Sequence, residues 1–384
     1  MRIWVIGRGF PTKSNNMLGS FEFEQAQMLA RHGHEVYYPV IDLRSIRRWR
    51  KFGIVKTLEK NINVITLNIP VGPILSSKFR YTLRNQLMKI LFRQVASEFG
   101  TPNVIHVHYP CIYPYSMFKQ IHDMGAKLVC TEHWTKVQNK TLSDNTVLKG
   151  QALSNLLDCV ENYDSILCVG EPLRNSIQEL TQTRREIMVV PNIVSPLFSY
   201  SEKESFDKKD KFRFVGVGRL VDVKRFDLLI RAFVNAFKDC KYVKLDIIGS
   251  GPEYNHLKYI IDTCNCKQQV SLLGTMSREE VAKYFHKCHA LVMSSNLETF
   301  GVPIIEAMAS GLPVVTTDAM GFRSLFHKEH GYIIPADDEV AMTNAMKKLY
   351  DNYESFDRKS ISEYAKRVFG EKGIYEQLYR IYKK

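Results

Sequence analysis

Short apolar runs of strand length alternate with longer helical stretches in this chain, and the alternation happens twice. In the first half Ile3–Ile6, Val36–Val40, Val104–Val107, Lys127–Thr131, Ser165–Val169 and Ile187–Val190 have the length and apolarity of buried strands. A helical period from about Phe21 to His32 ends at Gly33, a natural C-cap. The charged stretch Ser199–Lys211 (SYSEKESFDKKDK) supplies almost no core-forming residue and has the composition of a linker. Beyond it the alternation restarts with Phe212–Val217, Leu245–Ile248, Val270–Leu273, Ala290–Ser294 and Pro313–Thr316, with helices near Asp227–Lys238 and Glu253–Cys264. Strand–helix alternation of this kind predicts two open, mostly parallel α/β sheets that bind ligands at the carboxyl edges of their strands.

Composition narrows the class further. A chain of 384 residues exceeds one ordinary core. Its 45% apolar and 24% charged residues are those of a globular protein. The eight cysteines form no CxxC pair and no His/Cys spacing suited to zinc, so they are expected to be reduced thiols, with no metal site. The opening MRIWVIGRGFP has too short an apolar run for a signal peptide, and no run approaches 18 apolar residues. A cytoplasmic protein, peripheral at most on the inner face of the plasma membrane, is the expectation.

The net charge of +13 is uneven: residues 41–100 hold twelve Lys/Arg against three Asp/Glu. Such a patch attracts anionic lipid, nucleic acid or a polyanionic substrate, or is simply a solvated face. Arg44–Lys51 interleaves its charges with Ile46 and Trp49, ahead of Phe52, and Lys78–Arg93 sets Phe79, Leu83, Leu87 and Ile90 near one helical face. That mixture suits the interface of an anionic membrane, so peripheral contact through residues 44–93 is expected. No nucleic-acid recognition motif accompanies the charge.

The segment Glu298–Thr317, ETFGVPIIEAMASGLPVVTT, concentrates the chemistry. Phe300-Gly301-Val302-Pro303 leads into a helix whose first N–H groups suit an anionic diphosphate. Glu306, one to two turns in, can accept hydrogen bonds from ribose hydroxyls, and Glu298 from those of a hexose. An amphipathic helix with both carboxylates in water is the plainer alternative. His133, in CTEHWT, should emerge at a strand's carboxyl edge. His106 and His108 alternate onto one face, either in the core or lining a cleft.

These residues resemble the E-x₇-E signature of family 4 glycosyltransferases with the GT-B fold. Gly218-Arg219-Leu220 followed by Lys224 resembles the family's donor-phosphate motif, and Ile248-Gly249-Ser250-Gly251-Pro252 its loop beside the nucleotide base. Pro191-Asn192, Leu273-Gly274 and Gly331-Tyr332 are further landmarks, and the similarity is strong over residues 187–350. The first half matches through Phe10-Pro11, Gly19, Leu29-Ala30 and Gly33-His34-Glu35-Val36. Where many members carry Gly-Gly in the opening loop, this chain has Leu18-Gly19.

The resemblance implies two Rossmann-like domains facing across a cleft: residues 1–198 for the acceptor, 199–365 for a nucleotide-sugar donor, and a C-terminal helix, 366–384, crossing back to the first. It implies retaining transfer, most simply from a UDP-sugar, to a hydroxyl of a glycan or lipid-linked acceptor in cell-surface polysaccharide synthesis. Arg219 and Lys224 would hold the diphosphate, aided by backbone around Gly249, Gly251, Phe300, Gly301 and Val302. Glu306 would bind ribose, Glu298 and His133 the sugar, and Asn16 and Gly19 the acceptor. The departing diphosphate needs its charge neutralised; no D-x-D occurs in the chain, and two cations can replace a metal. No cofactor beyond the nucleotide-sugar co-substrate is expected. A non-hydrolysing UDP-sugar epimerase, which shares the two-domain shape, and a non-enzymatic nucleic-acid-binding protein are the alternatives.

Overall fold

Trp4 and its neighbours set the first sheet. In β1 (Arg2–Ile6) the four residues Ile3–Ile6 are fully buried, which requires cover on both faces and a strand on each side. The computed structural model, which describes residues 1–10, 19–45, 50–71, 76–138, 148–202 and 211–384, supplies both. β1 pairs in parallel with β2 (Glu35–Asp42) and, across the sheet, with β5 (Val104–His108). β3 (Gly53–Glu59) and β4 (Ile62–Asn68) extend the sheet beyond β2. β6 (Lys127–Glu132), β7 (Ser165–Cys168) and β8 (Ile187–Val189) extend it beyond β5. The order is β3-β4-β2-β1-β5-β6-β7-β8, parallel except for β3.

The β3–β4 hairpin lies inside the basic stretch and is absent from the predicted strands. Lys60 and Asn61 turn it with φ of 50° and 64°, the two left-handed central residues that a tight hairpin favours. Its edge strand β3 is largely exposed and carries Lys56, paired with Glu98. A lysine on an edge discourages pairing with another chain.

The second sheet is wholly parallel, in the order β11-β10-β9-β12-β13-β14. Its strands are β9 (Phe212–Val217), β10 (Val243–Ile248), β11 (Val270–Gly274), β12 (Ala290–Met293), β13 (Val314–Thr317) and β14 (Gly331–Ile334). The four-residue β14 is too short to stand out as a pattern, and the predicted strands stop at β13.

Contacts divide the chain into Met1–Ile193 with Ile374–Lys384, and Val194–Gly373. The divisions sit a few residues from the expected 198/199 and 365/366, for packing reasons. Val194 donates its N–H to the Phe369 carbonyl at 2.8 Å, and Phe198 packs on Phe285. Phe369 itself packs on Phe300 and Phe322, which ties the helix Arg358–Phe369 to the second unit. The last helix, Glu371–Lys383, places Ile374, Leu378, Ile381 and Tyr382 in the first unit's core. There Lys127 donates to the Ile381 carbonyl at 2.8 Å, and Tyr375 stacks on His32 at 3.7 Å. The C-terminal helix therefore returns to the first unit, as expected.

Among the parallel strands of each sheet the order reverses once, between β1 and β5 and between β9 and β12. Loops leaving such a pair diverge and open a crevice at the carboxyl edge. Gly7 and Tyr109 follow β1 and β5, while Gly218 and Ser294 follow β9 and β12. The switch points thus select two loop clusters before any side chain is considered.

Candidate active site

In the second unit the loops after β9, β10 and β11 are joined backbone to backbone. Gly218 N–H donates to Ile248 O, Leu220 N–H to Ser250 O, and Gly249 N–H to Gly274 O, at 2.8–3.0 Å. A Cβ on Gly249 would strike the Gly218 carbonyl, and one on Gly251 the Leu220 backbone. These glycines therefore fit a close approach between loops, and their first effect is to fix where Gly218–Leu220 lies. Arg219 is exposed there, and its guanidinium makes no hydrogen bond or ion pair with another described residue.

Lys224 follows on a short 3₁₀ turn, and its ammonium pairs with Glu298. Ser295 Oγ donates to the same carboxylate at 3.1 Å. The side chains are 18% and 12% exposed, so the pair is largely desolvated. Expected to act separately on phosphate and sugar, the two residues are held together, each balancing the other's charge.

Gly301, at φ 98°, turns the chain into the helix Val302–Ala309. Pro303 at the second helical position has no N–H, so the free donors at this terminus come from its neighbours. The Phe300 ring is buried against Phe322 and Phe369, which leaves only its backbone for a ligand. Glu306 is 5% exposed and pairs with Arg278. Burial pushes the Glu306 carboxyl up, and Arg278 pulls it back. The alternative of water-facing carboxylates on this helix is thereby overturned.

Arg278 is the residue that the sequence argument missed. It begins the helix Arg278–Phe285, where Ser277 and Glu280 form a capping box. A cation in a first helical turn opposes the helix dipole, and that is a legible sign of a partner elsewhere.

The first unit's cluster is built differently. His133 follows β6, and its Nε2 lies 2.9 Å from Nδ1 of His108 at the end of β5. His108 stacks on His106 at 4.6 Å, and His133 stacks on Tyr109 at 4.9 Å. The Arg8 guanidinium lies over the Tyr109 ring, 3.9 Å from its centre. Burial lowers His106 and His133 to about 3 and His108 well below its usual value. Arg8 adds to the depression of His108 and His133. All three imidazoles are neutral near pH 7. Glu132 is fully buried and raised by that burial, although it accepts N–H bonds from His133 and Trp134 at 2.8 and 2.7 Å.

Gly19, at φ 72°, begins the helix Ser20–Arg31, and a Cβ there would strike the Gly9 carbonyl. Its evident work is to let the start of this helix approach the Gly9 carbonyl. Asn16 lies outside the described residues, as do residues 46–49 and 72–75 of the basic stretch. Several cations of that stretch are engaged within the unit. Arg44 and Arg50 pair with Asp42, Lys56 with Glu98, and Arg84 donates to the Tyr113 hydroxyl at 2.6 Å. Phe79 and Ile90 remain 54% and 55% exposed on the helix Ser77–Phe99. No helix among the described residues is long and apolar enough to cross a membrane.

Two family models match, one to each half: "Glycosyltransferase Family 4" over residues 23–196 and "Glycosyl transferases group 1" over residues 199–368. Among curated relatives, N-acetyl-alpha-D-glucosaminyl L-malate synthase of Bacillus anthracis is 23% identical over 86% of this chain and 84% of its own length. The GPI3 subunit of phosphatidylinositol N-acetylglucosaminyltransferase from Saccharomyces cerevisiae is 25% identical over 64% of this chain, which spans about half, 52%, of that subunit. Among solved structures, sucrose-phosphate synthase of Thermosynechococcus elongatus superposes with a TM-score of 0.80 at 18% identity, covering 100% of this chain and 98% of that one. The Anabaena protein HepE, solved with UDP-glucose, gives 0.69 at 15% identity and 99% coverage of both chains. Matched along both halves and carrying the fold of these neighbours, the chain belongs to the family 4 glycosyltransferases of GT-B type.

Proposed function

We propose that this glycosyltransferase moves a sugar from a nucleoside diphosphate donor, a UDP-sugar in the first instance, to a hydroxyl acceptor with retention and without a metal. The observation that carries the proposal is the set of groups gathered at the β9/β12 switch point of the second unit. Arg219, Lys224 and the N–H groups of the Val302–Ala309 helix are suited to the diphosphate. Glu298 suits the sugar hydroxyls and Glu306 the ribose, with Gly249 and Gly251 setting the loop beside the base. In the bound state Lys224 exchanges part of its interaction with Glu298 for phosphate, which frees Glu298 oxygens for the sugar. The bond from C1 to the phosphate oxygen breaks, the acceptor oxygen bonds C1 on the same face, and its proton passes to the departing phosphate. His133, neutral and stacked on Tyr109, contacts the sugar as a hydrogen-bonding group.

UDP is favoured by the neighbour solved with UDP-glucose. The acceptor we infer is a glycan or lipid-linked molecule of cell-surface synthesis. The yeast relative named above acts on phosphatidylinositol. Phe79, Ile90 and the surrounding cations of residues 44–93 support peripheral contact with an anionic membrane. Calorimetric titration with UDP, GDP and ADP in EDTA tests the donor site. We expect one nucleotide to bind and Lys224→Ala to abolish binding; no binding of any nucleotide by folded protein overturns the proposal. Co-sedimentation with anionic vesicles at low salt tests the membrane contact, and protein left in the supernatant removes it.

A further inference from the structure

The polar groups around the Gly7–Gly9 turn are under-satisfied in a pattern. Among the described residues, Arg84 Nε, Glu22 Oε2 and His108 Nε2 are buried without a hydrogen-bond partner. Native interiors seldom leave such atoms unpaired, and where several converge a bound molecule or ordered water completes them.

The side chains that carry them are linked by contacts to one turn. Tyr113 accepts from Arg84 and donates to the Gly7 carbonyl at 2.6 Å. Glu22, fully buried, accepts from Arg8 Nε and from the Arg8 backbone N–H, both at 3.3 Å through the same oxygen. His108 reaches the turn through His133 and Tyr109, the ring that Arg8 covers. Arg8 is 35% exposed, and its two terminal nitrogens donate to no described residue.

The unused valences differ in kind, and together they describe a ligand. Arg8 and Arg84 offer guanidinium N–H groups, whose fork fits a carboxylate or phosphate. Glu22 Oε2 offers only a lone pair, which a hydroxyl satisfies. Glu132, the other buried carboxylate nearby, already accepts from two backbone N–H groups and from Cys111 Sγ, so it does not compete for the cations.

We propose that the first unit binds its acceptor through an anionic group, carboxylate or phosphate, held by Arg8 and Arg84, with a neighbouring hydroxyl donating to Glu22. The inference rests on the first unit being the acceptor-binding unit.

The test uses the full chain, UDP-sugar and two matched acceptor pairs: glycerol 3-phosphate against glycerol, and malate against its dimethyl ester. The first pair probes phosphate and the second carboxylate. The charged member of at least one pair is expected to be used about tenfold faster or better, the value of one charge-assisted hydrogen bond. Arg8→Gln brings that ratio toward one. Lys119→Gln, which removes an exposed cation paired with Asp123 on the same unit, leaves it unchanged.

A second arm needs no turnover. The Arg8 Nε–H resonance, assigned by its loss in Arg8→Lys, shifts saturably when phosphate or malate is added to wild-type protein. A preference that survives Arg8→Gln, or the absence of a saturable shift with either anion, overturns the proposal. UDP binding measured in the same samples separates the two failures. If UDP binds, the anion site alone is wrong; if UDP does not bind, the donor reading falls.

Discussion

The two switch points of this molecule present opposite electrostatic designs. In the second unit the carboxylates of the signature segment are matched by cations, Glu298 by Lys224 and Glu306 by Arg278. In the first, buried imidazoles are kept neutral, and three polar atoms around the opening turn stand unpaired. On the proposed function, the difference separates a common substrate from a particular one. A diphosphate has a fixed shape and charge, and a site for it can be assembled in advance, with cations parked on carboxylates until it arrives. An acceptor varies from enzyme to enzyme, so its site leaves open valences rather than a closed set of pairs.

Lys224→Ala makes the largest change in this picture. It leaves Glu298 without its ion-pair partner and, on the proposed function, removes a cation from the developing charge. Turnover should fall about a hundred- to a thousandfold, the usual cost of losing one stabiliser of transition-state charge. Glu298→Gln should lower turnover less than Lys224→Ala while keeping UDP affinity, because the sugar and not the diphosphate loses its contact. Equal losses of UDP affinity in the two variants would show that the pair acts as one structural unit, and the contrast with the first unit would lose its sharpest edge.

Backbone closeness comes next. Gly249→Ala forces a Cβ onto the Gly218 carbonyl at a φ of 148°. Gly125→Ala in the first unit also has a positive φ, 92°, but nothing within 4 Å. The open site should lose about 1–2 kcal/mol from backbone strain alone. Gly249→Ala should lose about 3 kcal/mol or more, and nucleotide affinity with it. Urea midpoints of both variants, with UDP titrations, make the measurement. Similar losses would mean that the β9 and β10 loops are not held to their spacing.

The second unit's site was legible because its requirements are local: glycines where loops touch, a glycine before a helix, carboxylates a fixed distance apart. Arg219, Lys224, Glu298 and Glu306 could be named from spacing and family pattern. That Lys224 and Glu298 would pair could not, since the ring they close joins residues 74 positions apart. That Arg278 would pair with Glu306 was hidden for the same reason. In the first unit His133, His106 and His108 were marked, with Gly19 and Asn16 from the family pattern, and the neutrality of the imidazoles comes from burial, which a sequence does not display. Arg8 and Glu22 look like ordinary surface residues until the sheet brings β5 beside β1. The strand pattern served the parallel core well and failed at the β3–β4 hairpin, where a run of charge concealed a turn.

Acid should separate the two units more gently. His106 and His108 are almost fully buried and titrate far below the usual 6.5. The unfolded chain therefore takes up their protons first as the pH falls. The stability they allow is complete above about pH 6.5 and declines as the pH drops toward 3, by about 1 kcal/mol per histidine per pH unit. Glu132 and Glu306, raised by burial, act in the opposite sense, one in each unit, while the second unit has His330, lowered to about 4. Hydrogen exchange at pH 5.5 and 7.5 should show greater loss of protection in the first unit, with His108→Gln reducing the difference. Equal loss in both units would mean that the imidazoles are charged when folded.

Chelation should change least. Transfer from a nucleoside diphosphate needs about two positive charges near the departing oxygens, and a metal or paired side chains can supply them. Here Arg219 stands exposed after β9, with no side-chain partner among the described residues, and Lys224 lies five positions on. EDTA should therefore alter UDP affinity by less than about twofold, under 0.5 kcal/mol. A tenfold loss restored by magnesium would place a cation on the phosphates themselves, a role magnesium plays without a full protein cage. The pairing of cation and carboxylate in the second unit would then be a structural arrangement rather than a charge reserve held for the donor.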